Sequence, residues 1–213
     1  MSGFEFAPDF FDRVDSSADP IFYVSPRFVT HIDDSAIAAV GELYEDLGIK
    51  GEVLDLMSSW VSHFRETPRL LTVLGLNKAE LNANRQAAAH VVHDLNADPR
   101  LPVATGSFDS VVCCVSVDYL VRPIEVFRDV ARVLRPGGLF VCTFSNRCFP
   151  TKAIRGWLDA SDTMHSSIVA EYFRRSEAWN EPVAARRTPA HHVGDPLYAV
   201  WSTTRRAESA TSD

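Results

Sequence analysis

A carboxylate set inside an apolar run is the first feature of this chain that could do chemistry. It is Asp55, in Val53-Leu54-Asp55-Leu56-Met57-Ser58-Ser59-Trp60. The run reads as a buried strand, and the hydroxyls of Ser58 and Ser59 follow it directly. In open α/β sheets, a strand that leads through a loop into a helix builds a ligand site. The helix start leaves N–H groups unpaired, and the crevice opens at the strand's carboxyl end. Asn77 and Asp94 also end apolar runs, Leu70 to Leu76 and His90 to His93. Asp118 and Tyr119 come just past a fourth run, Phe108 to Val117, and could move a proton there. Beyond a fifth run, Ser145 to Lys152 mixes polar groups with rings. Within it Asn146 and Arg147 read as a ligand-facing loop, and Arg147 and Lys152 could recognise a carboxylate or phosphate. His63 falls one helical turn after Ser59. The His191-His192 pair lacks further ligands at metal spacing, so no metal site is expected.

These residues need a sheet to hold them at one edge. Asp34 or Ser35 caps a helix with Ile37, Val40, Leu43 and Leu47 at helical spacing, closed by Gly48 and Gly51. Glu52 to Met57 is the first strand. A short helix carrying Phe64 and ended by Pro68 follows. Leu70 to Leu76 is the second strand, Lys78 to Ala89 a helix, and His90 to His93 a third strand. Phe108 to Val117 suits a central parallel strand. Pro123 begins a helix with Val126, Val130, Val133 and Leu134 on one face. Arg135-Pro136-Gly137-Gly138 stops it before a strand over 139–144. A helix over 162–178 and a strand pair at 182–187 and 197–203 complete the chain. Alternation of this kind predicts a doubly wound, mostly parallel sheet.

Composition narrows the setting. At 213 residues with 46% hydrophobic content, one domain with a sizeable core is expected. Residues 1–34, rich in Phe and Tyr, form an arm that packs on the domain or lids its pocket. Residues 35–205 form the domain, and 206–213 a frayed tail. A formal charge of −7 argues against a nucleic-acid or anionic-membrane partner. The absence of an apolar run of roughly 18 residues argues against a membrane span. Acids near the N-terminus argue against a secretory signal, so a cytoplasmic protein is expected. Cys113, Cys114, Cys142 and Cys148 lie in or beside strands and are expected as reduced thiols.

Two blocks carry a family resemblance. One is Ser107-Phe108-Asp109-Ser110-Val111-Val112. The other runs from Val126 through Ala131-Arg132-Val133-Leu134-Arg135-Pro136-Gly137-Gly138. Together they resemble the class I S-adenosylmethionine-dependent methyltransferases of the type 11 group, over roughly Gly51 to Phe144. A nicotinamide-binding domain would show G-x-G-x-x-G after its first strand, and none occurs. The resemblance implies a three-layer, Rossmann-like methyltransferase fold. Its seven-stranded sheet would be mostly parallel with an antiparallel C-terminal strand. It implies S-adenosyl-L-methionine as cofactor and a small-molecule substrate.

Carried over by position, the loop from Asp55 and Leu56 through Met57, Ser58, Ser59 and Trp60 would meet the amino-acid end of the cofactor. Asn77 would meet the ribose. It lies roughly 20 residues beyond Asp55, the distance expected of a ribose-binding position in dinucleotide folds. Asp94 and Leu95 would meet the adenine, and Ser116 and Val117 the sulfonium. Asp118 and Tyr119 would be catalytic, and Asn146 and Arg147 would bind substrate. The chain departs from the family at two places. Met57, Ser59 and Val61 stand where glycines are expected, and Asn77 stands where an acid is expected. Two readings follow: an enzyme that methylates a small molecule, and a repurposed methyltransferase fold that binds a metabolite or protein partner without methyl transfer.

Overall fold

Apolar side chains on both faces make β1 (Glu52–Leu56) a strand that only a covered sheet can hold, and Val53 to Leu56 are all buried. The computed structural model describes residues 5–205. β1 lies centrally, with β2 (Leu70–Gly75) and β3 (Ala89–Val92) to one side. On the other side are β4 (Phe108–Cys114), β5 (Leu134–Phe144), β7 (Tyr198–Thr203) and β6 (Val183–Arg186), in that spatial order. The first five strands pair in parallel, while β5–β7 and β6–β7 are antiparallel. This is the doubly wound, mostly parallel sheet that the alternation predicts, with the antiparallel C-terminal strand that the family resemblance implies.

Alternation along each strand divides the core in two. Leu54, Leu56, Val111, Phe140 and Phe144 face α4 (Pro123–Val133) and α6 (Asp162–Ser176), which bring Phe127, Val130, Tyr172 and Phe173. Val53, Val73, Val112 and Val141 face α2 (Asp34–Asp46), with Val40, Leu43 and Tyr44. Asp33 caps α2 by accepting the Ala36 N–H at 2.9 Å, one residue before the expected cap. Cys113 and Cys142 are buried, Cys114 and Cys148 half-buried, and all four are free. Among the described residues, no helix is long and apolar enough to cross a membrane.

Three expectations need correction. No helix forms around Phe64: residues 57–69 cross from β1 to β2 as irregular chain. Met57 and His63 take positive φ, 55° and 58°, which a right-handed helix forbids. The Ser58 hydroxyl bonds locally to Asp55, while Ser59 donates to Glu80 and Ser62 accepts from Asn84 across the chain. Phe64 packs its ring on Tyr44 of α2, with centroids 4.7 Å apart. The second correction concerns α3 (Lys78–Ala83), which stops well short of Ala89. Asn84 leaves the helix to donate to Ser59 O at 3.1 Å and Ser62 Oγ at 2.8 Å, tying α3 to the β1 loop. The third is that β5 starts at Leu134. Arg135 to Gly138 do end α4, but they belong to the strand, with a shift in register against β4 between Phe108 and Ser110.

The arm folds onto the domain. Arg155 and Gly156 N–H donate to Asp12 O and Phe10 O at 2.7 and 2.9 Å. A Cβ on Gly156 would sit 2.2 Å from the Phe10 ring, so glycine is required there. Lys152, with no exposed side-chain surface, pairs with Asp15 at 3.1 Å and Asp19 at 3.2 Å. Asp19 opens the short α1 (Asp19–Phe22), and from there the chain runs across the carboxyl edge of the sheet. The tail expected at 206–213 lies outside the described residues.

Candidate functional site

A cavity of about 300 Å³ opens at the carboxyl ends of β1, β2 and β4. The strand order reverses between β1 and β4, which is where open α/β sheets bind ligands. Small-molecule pockets start at roughly this volume. Tyr23, Arg27 and His31 of the arm form the opposite wall.

The β1 loop turns through a left-handed residue without glycine. Met57 holds φ 55°, at a cost of roughly 1 kcal/mol or more for a residue with a side chain. Ser58 N–H donates to Leu74 O at 2.7 Å, pinning the turn to β2. The approach is so close that a Cβ on Gly75 would lie 2.3 Å from Ser58 O. Across the crevice Val115 is also left-handed, with φ 46°, a strained state for a β-branched residue. Asp55 is 3% exposed and accepts from Ser58 Oγ at 2.6 Å. Burial pushes its carboxyl up to about 7, against the opposing pull of the Ser58 and Ser62 hydroxyls. Met57 packs against the core while lining the cavity. Trp60 turns its indole N–H to Val29 O at 3.1 Å. The crevice between Asp55, Asn77 and Asp94 therefore stays open.

At the end of β2, Asn77 is fully engaged. Its side-chain oxygen accepts from Ala79 and Glu80 N–H at 3.0 and 3.2 Å, and its amide donates to Tyr23 O and Val24 O at 2.9 and 3.2 Å. It caps α3 and anchors the arm. Glu80 stands beside it, 8% exposed and lining the cavity, accepting from Arg27 N–H at 2.7 Å and Ser59 Oγ at 2.5 Å. A carboxylate has about four lone-pair sites, so Glu80 retains capacity that Asn77 lacks. Asp94 accepts from Asn96 N–H at 2.9 Å and Ala97 N–H at 3.3 Å, and Leu95 lines the same end.

On the far side Ser116 and Tyr119 line the cavity. The Tyr119 hydroxyl accepts the Phe149 N–H at 2.8 Å, and burial raises its pKa, holding the phenol protonated. His31 and His63 also line it. Burial lowers both, His63 to about 4, so both imidazoles are neutral at pH 7.

Of the residues singled out from sequence, Asp55, Met57, Ser58, Ser59, Trp60, Asn77, Asp94, Leu95, Ser116, Tyr119 and Arg147 line the cavity. Leu56, Val117, Asp118 and Asn146 do not. Leu56 and Val117 are core residues, and Asn146 is exposed. Asp118 is 2% exposed, and its Oδ2 has no partner among the described residues. Lys152 is sealed against the arm's acids and cannot reach a ligand. Sequence reasoning did not single out Arg27, His31 or Glu80 as wall residues. The arm that carries Tyr23, Arg27 and His31 was nevertheless expected to pack on the domain or lid the pocket, and Phe149 lies in the loop expected to face a ligand. For Glu80 a signal existed: Asn77-Lys78-Ala79-Glu80 has the spacing of a capping box, which marks a helix start at the end of β2.

Comparison with known proteins agrees with this architecture. The family model described as a methyltransferase domain matches residues 46–142. The ubiquinone biosynthesis O-methyltransferase of Xanthomonas oryzae pv. oryzae is 26% identical over 202 residues, covering 89% of this chain and 76% of that protein. Among solved structures, the 1,6-didemethyltoxoflavin-N1-methyltransferase of Burkholderia thailandensis superposes with a TM-score of 0.58. It is 16% identical, over 81% of this chain and 80% of that one. The (4+2)-cyclase SpnF superposes with a TM-score of 0.64 at 12% identity, over 97% and 100% of the two chains. The chain has the α/β fold of these methyltransferase structures, and the family match runs from the end of α2 into β5.

Proposed function

We propose that the protein is an S-adenosylmethionine-dependent methyltransferase acting on a small-molecule acceptor. The observation that carries this reading is the open cavity at the β1/β4 reversal, beside a β1 turn that stays left-handed at Met57 although no glycine is there.

The wall suits the cofactor at both ends. Asp55 and Ser58 would orient its amino-acid end, and Asp94 and Leu95 its adenine. For the ribose hydroxyls, Glu80 is the available carboxylate, because Asn77 has no group left to offer. Bound there, S-adenosylmethionine would supply an electrophilic methyl group for transfer to an acceptor. The chain's own part is to position that acceptor and take its proton where it is a hydroxyl. His31 and His63, both neutral, are imidazoles on the wall that can accept a proton at pH 7, beside the carboxylates of Glu80 and Asp94. Tyr119, held protonated, serves as a fixed hydrogen-bonding wall for the acceptor.

A second reading, a repurposed fold that binds a metabolite, is favoured by one observation: the arm's carbonyls occupy the Asn77 amide. Thermal unfolding separates the two. Ligand at about 100 times its dissociation constant stabilises by roughly 2.7 kcal/mol, a rise of about 5 to 10 °C for this size. We expect that rise with S-adenosylmethionine and with S-adenosylhomocysteine. Glu80→Gln should weaken the binding several-fold, the difference between a charged and a neutral acceptor. No rise with either compound at millimolar concentration refutes the methyltransferase reading.

A further inference from the structure

The cavity wall carries one arginine that no carboxylate pairs with among the described residues. The wall's carboxylates all accept hydrogen bonds. Asp19 meets Arg13 at 2.7 Å and Lys152 at 3.2 Å. Glu80 and Asp94 each accept two hydrogen bonds, and Asp55 takes the Ser58 hydroxyl. Of the cations, Arg147 is exposed, with Asp195 4.0 Å away. Arg27 makes no ion pair among the described residues. Its Nη2 donates to Phe22 O at 3.0 Å, a main-chain carbonyl, and its Nη1 is buried with no partner. A buried donor on a charged group left unpaired is costly, and an oxygen arriving from the cavity would relieve that cost.

The guanidinium is also held still. It lies 4.7 Å from the Phe22 ring, 5.4 Å from Phe149 and 5.5 Å from Tyr23, within range for cation–π attraction. The Arg27 main-chain N–H is tied to Glu80. A planar, fixed fork of donors is the arrangement that receives the paired oxygens of an anion. Phe149 and Tyr119 continue the aromatic wall from this point into the cavity, their ring centroids 6.0 Å apart.

We propose that Arg27, caged by Phe22, Tyr23 and Phe149, is the subsite for a carboxylate or phosphate group on the acceptor. The identity of that ligand as a methyl acceptor rests on the methyltransferase reading of the cavity. The sequence offers Arg147 and Lys152 for an anion; Lys152 is buried against Asp15 and Asp19, Arg147 lines the cavity, and this proposal adds an arginine of the arm.

Calorimetric titration of the full chain with benzoate, phenyl phosphate and neutral benzyl alcohol tests this, with and without saturating S-adenosylhomocysteine. At least one anion should bind about tenfold more tightly than benzyl alcohol. Which one does so tells a carboxylate site from a phosphate site. The advantage should fall below about twofold in Arg27→Gln and persist in part in Arg27→Lys, which keeps the charge and guards against a folding defect. Equal binding of all three probes, no binding of either anion, or a full anion advantage in Arg27→Gln overturns the proposal. An Arg27-dependent anion preference in a chain that ignores S-adenosylhomocysteine would uphold the subsite and sink the methyltransferase reading. Tight S-adenosylhomocysteine binding without anion preference would do the reverse.

Discussion

Replacing Asp118 by asparagine should stabilise the protein, and by more as the pH rises. The carboxyl sits 2% exposed behind the 3-10 turn at Val117–Tyr119, with Oδ2 unpartnered among the described residues. Burial pushes its pKa from 3.8 up to about 8, outweighing hydrogen bonds from its own N–H and from Tyr119. The folded chain therefore keeps a proton that the unfolded chain releases above pH 4. Between about pH 4 and 8 unfolding releases that proton, so stability falls as pH rises, by about 1.4 kcal/mol per pH unit. Above pH 8 this contribution is flat.

At pH 7 the interval from 3.8 is about three units, or roughly 4 kcal/mol. That is a large share of the 5–15 kcal/mol typical of a domain. Asparagine keeps the shape, cannot ionise and removes this slope. The difference between variant and parent should be about 1 kcal/mol at pH 4.5 and roughly 4 kcal/mol by pH 7. That corresponds to a rise in Tm on the order of 10 °C. Urea titrations at pH 5, 6, 7, 8 and 9 measure it. Asp55, pushed up to about 7, adds a slope of the same sign in both proteins and cancels in the difference. A difference that does not change with pH, or a variant less stable throughout, would refute the reasoning: Asp118 would then be ionised and paired in the fold.

Two other substitutions test how the site is built. Asp19→Ala strips Lys152 and Arg13 of a shared, buried partner and should cost roughly 3–5 kcal/mol by urea unfolding. A loss under 1 kcal/mol would show that Asp15 alone satisfies Lys152. Gly75→Ala would drive a Cβ to 2.3 Å from Ser58 O, so the β1 loop must move. Roughly 1–3 kcal/mol of stability and at least tenfold in S-adenosylhomocysteine affinity should be lost. Calorimetry showing unchanged affinity would separate the loop's position from ligand binding.

Much of the scaffold was legible from pattern alone. The apolar runs at Val53, Leu71, Val111 and Phe140 are continuous enough to need cover on both faces, and α4 and α6 show their buried stripes at helical spacing. Asp55, Asn77 and Tyr119 follow or interrupt those runs, and Asp94 follows the short third strand, so strand ends locate them at one edge of the sheet without any knowledge of packing. The missing helix after β1 was not legible. Serine and valine there are compatible with several local conformations, and it is the pinning of Ser58 to Leu74 and of Asn84 to Ser62 that selects the irregular one.

Local periodicity thus determined the sheet, its order of construction and the strand ends that bear polar groups, because each depends on neighbours within a few residues. What each polar group does was decided by contacts across the chain. Asn77 is taken up by the carbonyls of Tyr23 and Val24, more than fifty residues earlier. Lys152 is buried against Asp15 and Asp19, Asp118 is turned away from the cavity, and Arg27 is left as its unmatched cation. Burial and pairing of a charge are properties of everything packed around it. No local pattern records which acid will meet which base once the arm has folded across the sheet.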